Sequence, residues 1–170
     1  MIFISQSGLT DPSRAEEWDI WYIEHLQIML SVPAVSTAQR FLTDSPGYSP
    51  SLAMYTLPGP EVFSDPYYLS VRGMGGWSEL IDRRYYHRNL FAGLDRAPPV
   101  TAHQRLIVAD RAHVDGGLAG LGLTWLECVG IDRSTPLRGI AVLDTAAAEK
   151  LYAHDVAIYR PVTEQMVSEA

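Results

Sequence analysis

Residues 16–30 constrain this chain more than any other stretch. Trp18, Tyr22, His25 and Met29 recur at steps of four, three and four, so a helix places them on one face, flanked by Trp21 and Leu26. The start is well marked. Asp11 can act as N-cap with Pro12 at the first helical position, and Ser13 with Glu16 offers a second, capping-box start. Glu16, Glu17 and Asp19 suit the positive end of the helix dipole. Val32-Pro33 stops the helix, because a residue before proline disfavours helical geometry. A face with large aromatics and one imidazole is either packed core or the wall of a site.

Around this helix the chain reads as short strands cut by turns. Residues 1–8, 35–42, 51–57 and 83–94 have strand character, with Asp44-Ser45-Pro46-Gly47 as a turn. Pro60 opens a second helix to about residue 71, kinked at Asp65-Pro66, and Gly73-Met74-Gly75-Gly76 follows as a loop or lid. The order β-α-β-β-α-β is that of a ferredoxin-like unit. After the spacer Ala97-Pro98-Pro99 the pattern recurs in shortened form. Strands are expected at 106–109, 123–131, 138–143 and 156–160, with a short helix after Asp144. Gly116, Gly117 and Gly120 weaken the helix that should stand between the first two of these by about 1 kcal/mol each. The expected fold class is therefore α+β: two ferredoxin-like βαββαβ units, residues 1–97 and a degraded second unit at 98–170, packed as an α/β barrel.

Composition narrows the partners. A net charge of −7 argues against nucleic acid or an anionic membrane as partner. No apolar run approaches the roughly 20 residues needed to span a bilayer. The start of the chain has neither a basic region nor a long apolar core, so no signal peptide is expected and the protein is read as soluble and cytoplasmic. The single Cys128 cannot form an internal disulfide, and its alternating apolar surroundings favour a buried, inert thiol over a nucleophile.

Trp21-Tyr22-Ile23-Glu24-His25, then Val32-Pro33-Ala34-Val35 leading into Ala38-Gln39-Arg40-Phe41 and the strand Leu52-Ala53-Met54-Tyr55, resembles the dimeric α/β-barrel superfamily near its EthD-like branch. The likeness spans roughly residues 1–95. Ala34 stands where many members have glycine, which requires a turn that tolerates a Cβ. The resemblance implies a pocket in each unit between sheet and helices. It also implies a menu of activities: cofactor-free monooxygenases, muconolactone isomerase, polyketide-type cyclases and, in tandem forms, haem peroxidases and chlorite dismutases. Fold analogy makes no choice among them.

His25 is the leading catalytic candidate, because a neutral imidazole can remove a proton from an activated C–H or a phenol near pH 7. The competing reading makes it a packing residue. Trp18, Trp21, Tyr22 and Met29 are either an apolar pocket wall or ordinary core. Alternation along residues 83–94 puts Tyr85, His87, Asn89 and Phe91 on one face and Arg84, Tyr86, Arg88 and Leu90 on the other. The first face reads as a pocket floor, or as a polar stripe. His25, Tyr22 and His87 are the catalytic candidates, and Trp18, Trp21, Met29, Tyr85, Asn89 and Tyr55 the ligand-binding ones. His25 with His87 falls short of the three protein ligands a metal wants, and His103, His113 and His154 lack ligand spacing. Haem would need a proximal histidine beside an acidic partner on a second-half helix, and none is evident. No cofactor is therefore expected. The expected function is proton-transfer chemistry of monooxygenase, cyclase or isomerase type on a small, largely apolar, aromatic or polyketide-like compound. The alternative is a non-catalytic ligand-binding or dimerisation module. A homodimer is expected because two-fold assemblies are the commonest.

Overall fold

A computed structural model describes residues 1–151 and 155–169. The strands are β1 Ile2–Ser7, β2 Thr37–Leu42, β3 Ser51–Thr56, β4 His87–Ala92, β5 Gln104–Arg111, β6 Thr124–Ile131, β7 Leu137–Asp144, β8 Ala157–Pro161 and β9 Met166–Val167. The helices are α1 Ala15–Leu30, α2 Pro66–Val71 and α3 Thr145–Ala148. Neighbouring strands pair antiparallel in the order β3-β1-β4-β6-β7-β5-β8-β2, and β2 pairs back onto β3. Eight strands thus close into one barrel, with β9 added beside β2.

This corrects the expected fold. The protein is a closed, eight-stranded antiparallel β-barrel, mostly sheet, in place of two ferredoxin-like βαββαβ units forming an α/β barrel. Two causes are visible. The first is helix-breaking chemistry. Proline at 60 and 66 divides the expected helix over 60–71 into a 3-10 turn, Pro60–Ser64, and the six-residue α2. The glycine-rich stretch makes only a 3-10 turn, Gly116–Leu121. Among the described residues only α1 exceeds two turns. The second is closure. β4 pairs with β6 and β2 with β8, so edge strands from the two halves of the chain hydrogen-bond to each other and no open edge remains between them.

Period-two alternation sorts the side chains. Ile2, Ile4, Phe41, Leu52, Phe91 and Tyr159 belong to the packed barrel interior. Phe3, Ala53, Tyr55 and Leu90 face outward, where they pack with Trp18, Tyr22, Leu26 and Met29 of α1. A third cluster around Ile107, Leu118, Leu151 and Ile158 covers another part of the outer wall. Ala97 of the spacer and Val100 just after it are tied to the barrel: Ala97 N–H donates to Thr56 Oγ1 at 2.8 Å and Val100 N–H to Gln39 Oε1 at 3.1 Å.

The long helix follows from its ends. Asp11 accepts from Ser13 N–H at 3.0 Å and caps a 3-10 turn, Pro12–Arg14, that runs into α1. At the far end Ser31 Oγ donates to the Ile28 carbonyl at 2.7 Å. The turn into β2 puts Ala34 at a φ of 72°, left-handed geometry that a residue with a Cβ rarely adopts. No helix among the described residues is long and apolar enough to cross a membrane.

Candidate functional site

The helix face that organises the sequence divides its labour. Trp18 and Tyr22 are buried in the cluster between α1 and the barrel wall. Arg40 of β2, 1 % exposed, lies over the Tyr22 ring at 4.4 Å and pairs with Asp19 at 2.6 Å. Burial raises the Tyr22 phenol, and the Arg40 guanidinium opposes that rise. Trp18 instead lines a small hollow of about 170 Å³ with Arg40, Asp19 and Leu42. One turn on, the face opens. His25 and Met29 border a cavity of about 350 Å³ between α1, the barrel wall, α2 and the glycine-bearing loop. Phe3 and Ser5 of β1, Tyr55 of β3 and Arg88 of β4 form its floor. Tyr68, Arg72 and Met74 form the opposite wall, joined by Tyr86.

The His25 imidazole is only 8 % exposed. It stacks on Trp21, with ring centroids 4.7 Å apart and planes 11° apart, and meets the edge of Tyr22 at 5.8 Å. Among the described residues its ring nitrogens have no hydrogen-bond partner, and they are not sealed from the cavity. Burial pushes its pKa down to about 4, so the ring is neutral across the physiological range. Two phenols on the cavity are also held protonated. Burial, with the neighbouring Tyr22 and Tyr68 phenols, drives Tyr55 well above its ordinary value. Burial raises Tyr68 too, opposed by Arg88 and Arg72. The site thus combines one proton acceptor, phenolic donors, two guanidiniums and the apolar side chains of Phe3, Met29 and Met74.

Met74 is buried within a loop whose neighbours Gly73 and Gly75 have φ of 97° and 51°. Those left-handed values let the backbone double back and lay Met74 over the cavity. The loop expected between helix and strand is therefore a wall of the site.

No family model, curated protein or solved structure matches this chain.

Of the residues singled out in the sequence, His25, Met29 and Tyr55 border one cavity, Trp21 braces His25 from behind, and Trp18 and Tyr22 are core. The face of residues 83–94 needs correction. Tyr85 precedes β4, and with His87 it lines a different hollow at one end of the barrel, beside Gln6, Tyr48 and Arg111. His87 Nε2 lies 3.2 Å from the Arg84 carbonyl. Asn89 is fully buried inside the barrel, where its amide donates to Ser134 Oγ at 2.7 Å and accepts from Ser134 N–H at 2.9 Å. Neither His87, Tyr85 nor Asn89 joins His25. The opposite face supplies the cavity, through Arg88 and the preceding Tyr86. Sequence reading also missed Phe3, Ser5, Tyr68 and Arg72. The outward alternation of Phe3 and Ser5 along β1 was the one local signal for the first pair.

Among the described residues no three His, Cys, Asp or Glu side chains are grouped to hold a metal ion. His154 lies outside the described residues. Cys128 is half-buried, with burial raising its thiol, and its Sγ is 3.6 Å from Asn89 Oδ1. That is poor chemistry for a nucleophile. A larger hollow of about 450 Å³ between Leu42, Tyr48 and Ile158 mixes Arg105 and Arg160 with Asp44 and Asp155 and contains no imidazole among its described residues. The smaller His25 cavity has the imidazole that this hollow lacks.

Proposed function

We propose that the cavity beside His25 takes a small, largely apolar molecule and that the protein acts on it by proton transfer, with His25 as acceptor. The observation that carries this reading is the neutral, unpartnered imidazole of His25 opening into a walled cavity. A C–H or O–H placed against that ring would pass its proton to the imidazole nitrogen. The Tyr55 and Tyr68 hydroxyls are protonated donors for the oxyanion left behind. Return of the proton to another atom of the same molecule completes an isomerisation or cyclisation, and the balance calls on no cofactor. A ring with a pKa of about 4 is a weaker base than an ordinary imidazole, so the proton removed must itself be acidic, as in a phenol or on a carbon between two carbonyls.

A second reading keeps the cavity and drops the chemistry. The low basicity of His25 equally suits a fixed hydrogen-bond acceptor for a bound hydroxyl. Two measurements separate the readings. The first is a thermal-shift screen of phenols, quinones, lactones and 1,3-diketones. A ligand at a hundred times its Kd stabilises by about 2.7 kcal/mol, or roughly 5–10 °C at this chain length. The second follows deuterium exchange from solvent into a bound 1,3-diketone by NMR. Exchange catalysed by the wild type and lost in His25→Gln supports the enzyme. Binding without catalysed exchange leaves the carrier reading, and exchange unaffected by His25→Gln removes His25 as the acceptor.

A further inference from the structure

The chain as a whole carries 20 acidic side chains against 13 Lys and Arg. The walls of the His25 cavity invert that balance. Two guanidiniums, Arg72 and Arg88, border it, and among the described residues no carboxylate does. Arg72 is exposed at the end of α2 and has no ion-pair partner among the described residues. Arg88 pairs with Asp132 at 3.1 Å, but Asp132 does not itself border the cavity. Both guanidiniums act on the Tyr68 phenol, pulling its ionisation down against the burial that raises it. Both line the same cavity as Tyr68. Cations beside low-dielectric walls with no anion among them favour a negatively charged guest.

Resting on the reading of this cavity as a ligand site, we infer that its ligand is an anion. It is a small aromatic or enolic acid whose carboxylate or enolate meets Arg72 and Arg88. Its ring lies against Phe3, Met29 and Met74, within reach of His25. Guanidinium suits this role because its planar donors match a carboxylate in pairs.

Such a guest also changes His25. The titratable and charged groups around the imidazole and its cavity are Tyr22, Tyr55, Tyr68, Tyr86, Arg72 and Arg88. Asp132, paired with Arg88, lies behind them outside the cavity lining, and burial is what lowers the ring in the free protein. An anion about 4–6 Å away favours the imidazolium and raises its pKa by roughly 1–3. Anion binding below neutral pH therefore takes up a proton.

Titration calorimetry with benzoate and its neutral isostere benzamide tests this, near pH 7.5 and near pH 5, on the wild type, Arg72→Met and His25→Gln. Arg72 is exposed, so its variant folds. Benzoate is expected to bind about tenfold more tightly than benzamide, and Arg72→Met to erase most of that advantage without affecting benzamide. Benzoate binding is expected to tighten about tenfold towards pH 5 with uptake of a proton, and His25→Gln to flatten that dependence. Benzamide binding as tightly as benzoate to the wild type overturns the anion inference and leaves the cavity as a ligand site. If neither probe binds, the cavity reading fails with it.

Discussion

Trp21 lies flat against His25, with ring centroids 4.7 Å apart and planes within 11°. Trp21 in turn stacks on Trp18 at 4.9 Å, and Trp77 meets Trp18 edge-on at 5.1 Å. The imidazole is therefore the last ring of an aromatic row, held in one orientation at the edge of the cavity. In Trp21→Leu that brace is gone and water reaches the ring. The His25 pKa should rise from about 4 towards its ordinary 6.5. Loss of the stack should cost about 1 kcal/mol beyond the lost burial. NMR titration and urea unfolding of the variant check the two parts.

Acid should destabilise the fold through the same residue. The folded pKa of about 4 lies below the ordinary 6.5, so between these values the unfolded chain binds a proton that the folded chain refuses. This contribution to stability is complete above about pH 6.5 and is lost as pH falls towards 4. At 1.36 kcal/mol per unit the loss is about 3 kcal/mol. Unfolding free energies measured across this window should show that slope in the wild type, and His25→Phe should flatten it. An unchanged slope in the variant would assign the acid sensitivity elsewhere.

Position 34 offers the opposite effect. Ala34 holds a φ of 72°, where its Cβ is strained against the backbone. Ala34→Gly relieves that strain but adds freedom to the unfolded chain, leaving a net gain of about 0.5–1 kcal/mol. The turn lies away from the His25 cavity, so ligand binding should not change. A loss of stability on denaturant unfolding would show that the turn relaxes around its Cβ.

The barrel end carries a buried charge. Arg138, 1 % exposed, donates from Nε and Nη2 to Asp110 at 2.7 Å each and from Nη2 to Gln6 Oε1 at 2.7 Å. Its guanidinium also lies 5.1 Å from the Phe91 ring. Asp110→Asn leaves that cation without its counter-charge and should cost about 3 kcal/mol, whereas the double change Asp110→Asn with Arg138→Met should recover most of it. A single variant within about 0.5 kcal/mol of the wild type would mean that water already carries the charge.

How much of this was legible in the sequence differs by level. α1 was, because Asp11, Pro12 and Val32-Pro33 are local signals that act within a turn. Most strands were too, since alternation and proline or glycine turns are also local. Closure was not. The pairings of β4 with β6 and of β2 with β8 join residues far apart in the chain, and nothing in either strand names its partner. The site failed at one step of the same kind. Alternation separates Arg88 from His87 and Asn89 but cannot say which side faces α1. The imidazole and amide suggest a pocket floor, yet Asn89 is satisfied by Ser134 inside the barrel, while Arg88 on the opposite face borders the cavity. Leu90, two residues on, shares the side of Arg88 and packs in the α1 cluster.

The most direct measurement is an NMR titration of the His25 ring in the wild type, alone and saturated with benzoate. A value near 4 for the free protein, moving up by roughly 1–3 with benzoate bound, is the expected result. A free value near 6.5 would contradict the account, because the ring would then be bathed in water instead of set in a desolvated cavity. A ring at about 4 that no probe moves would make His25 a core residue and the cavity no site.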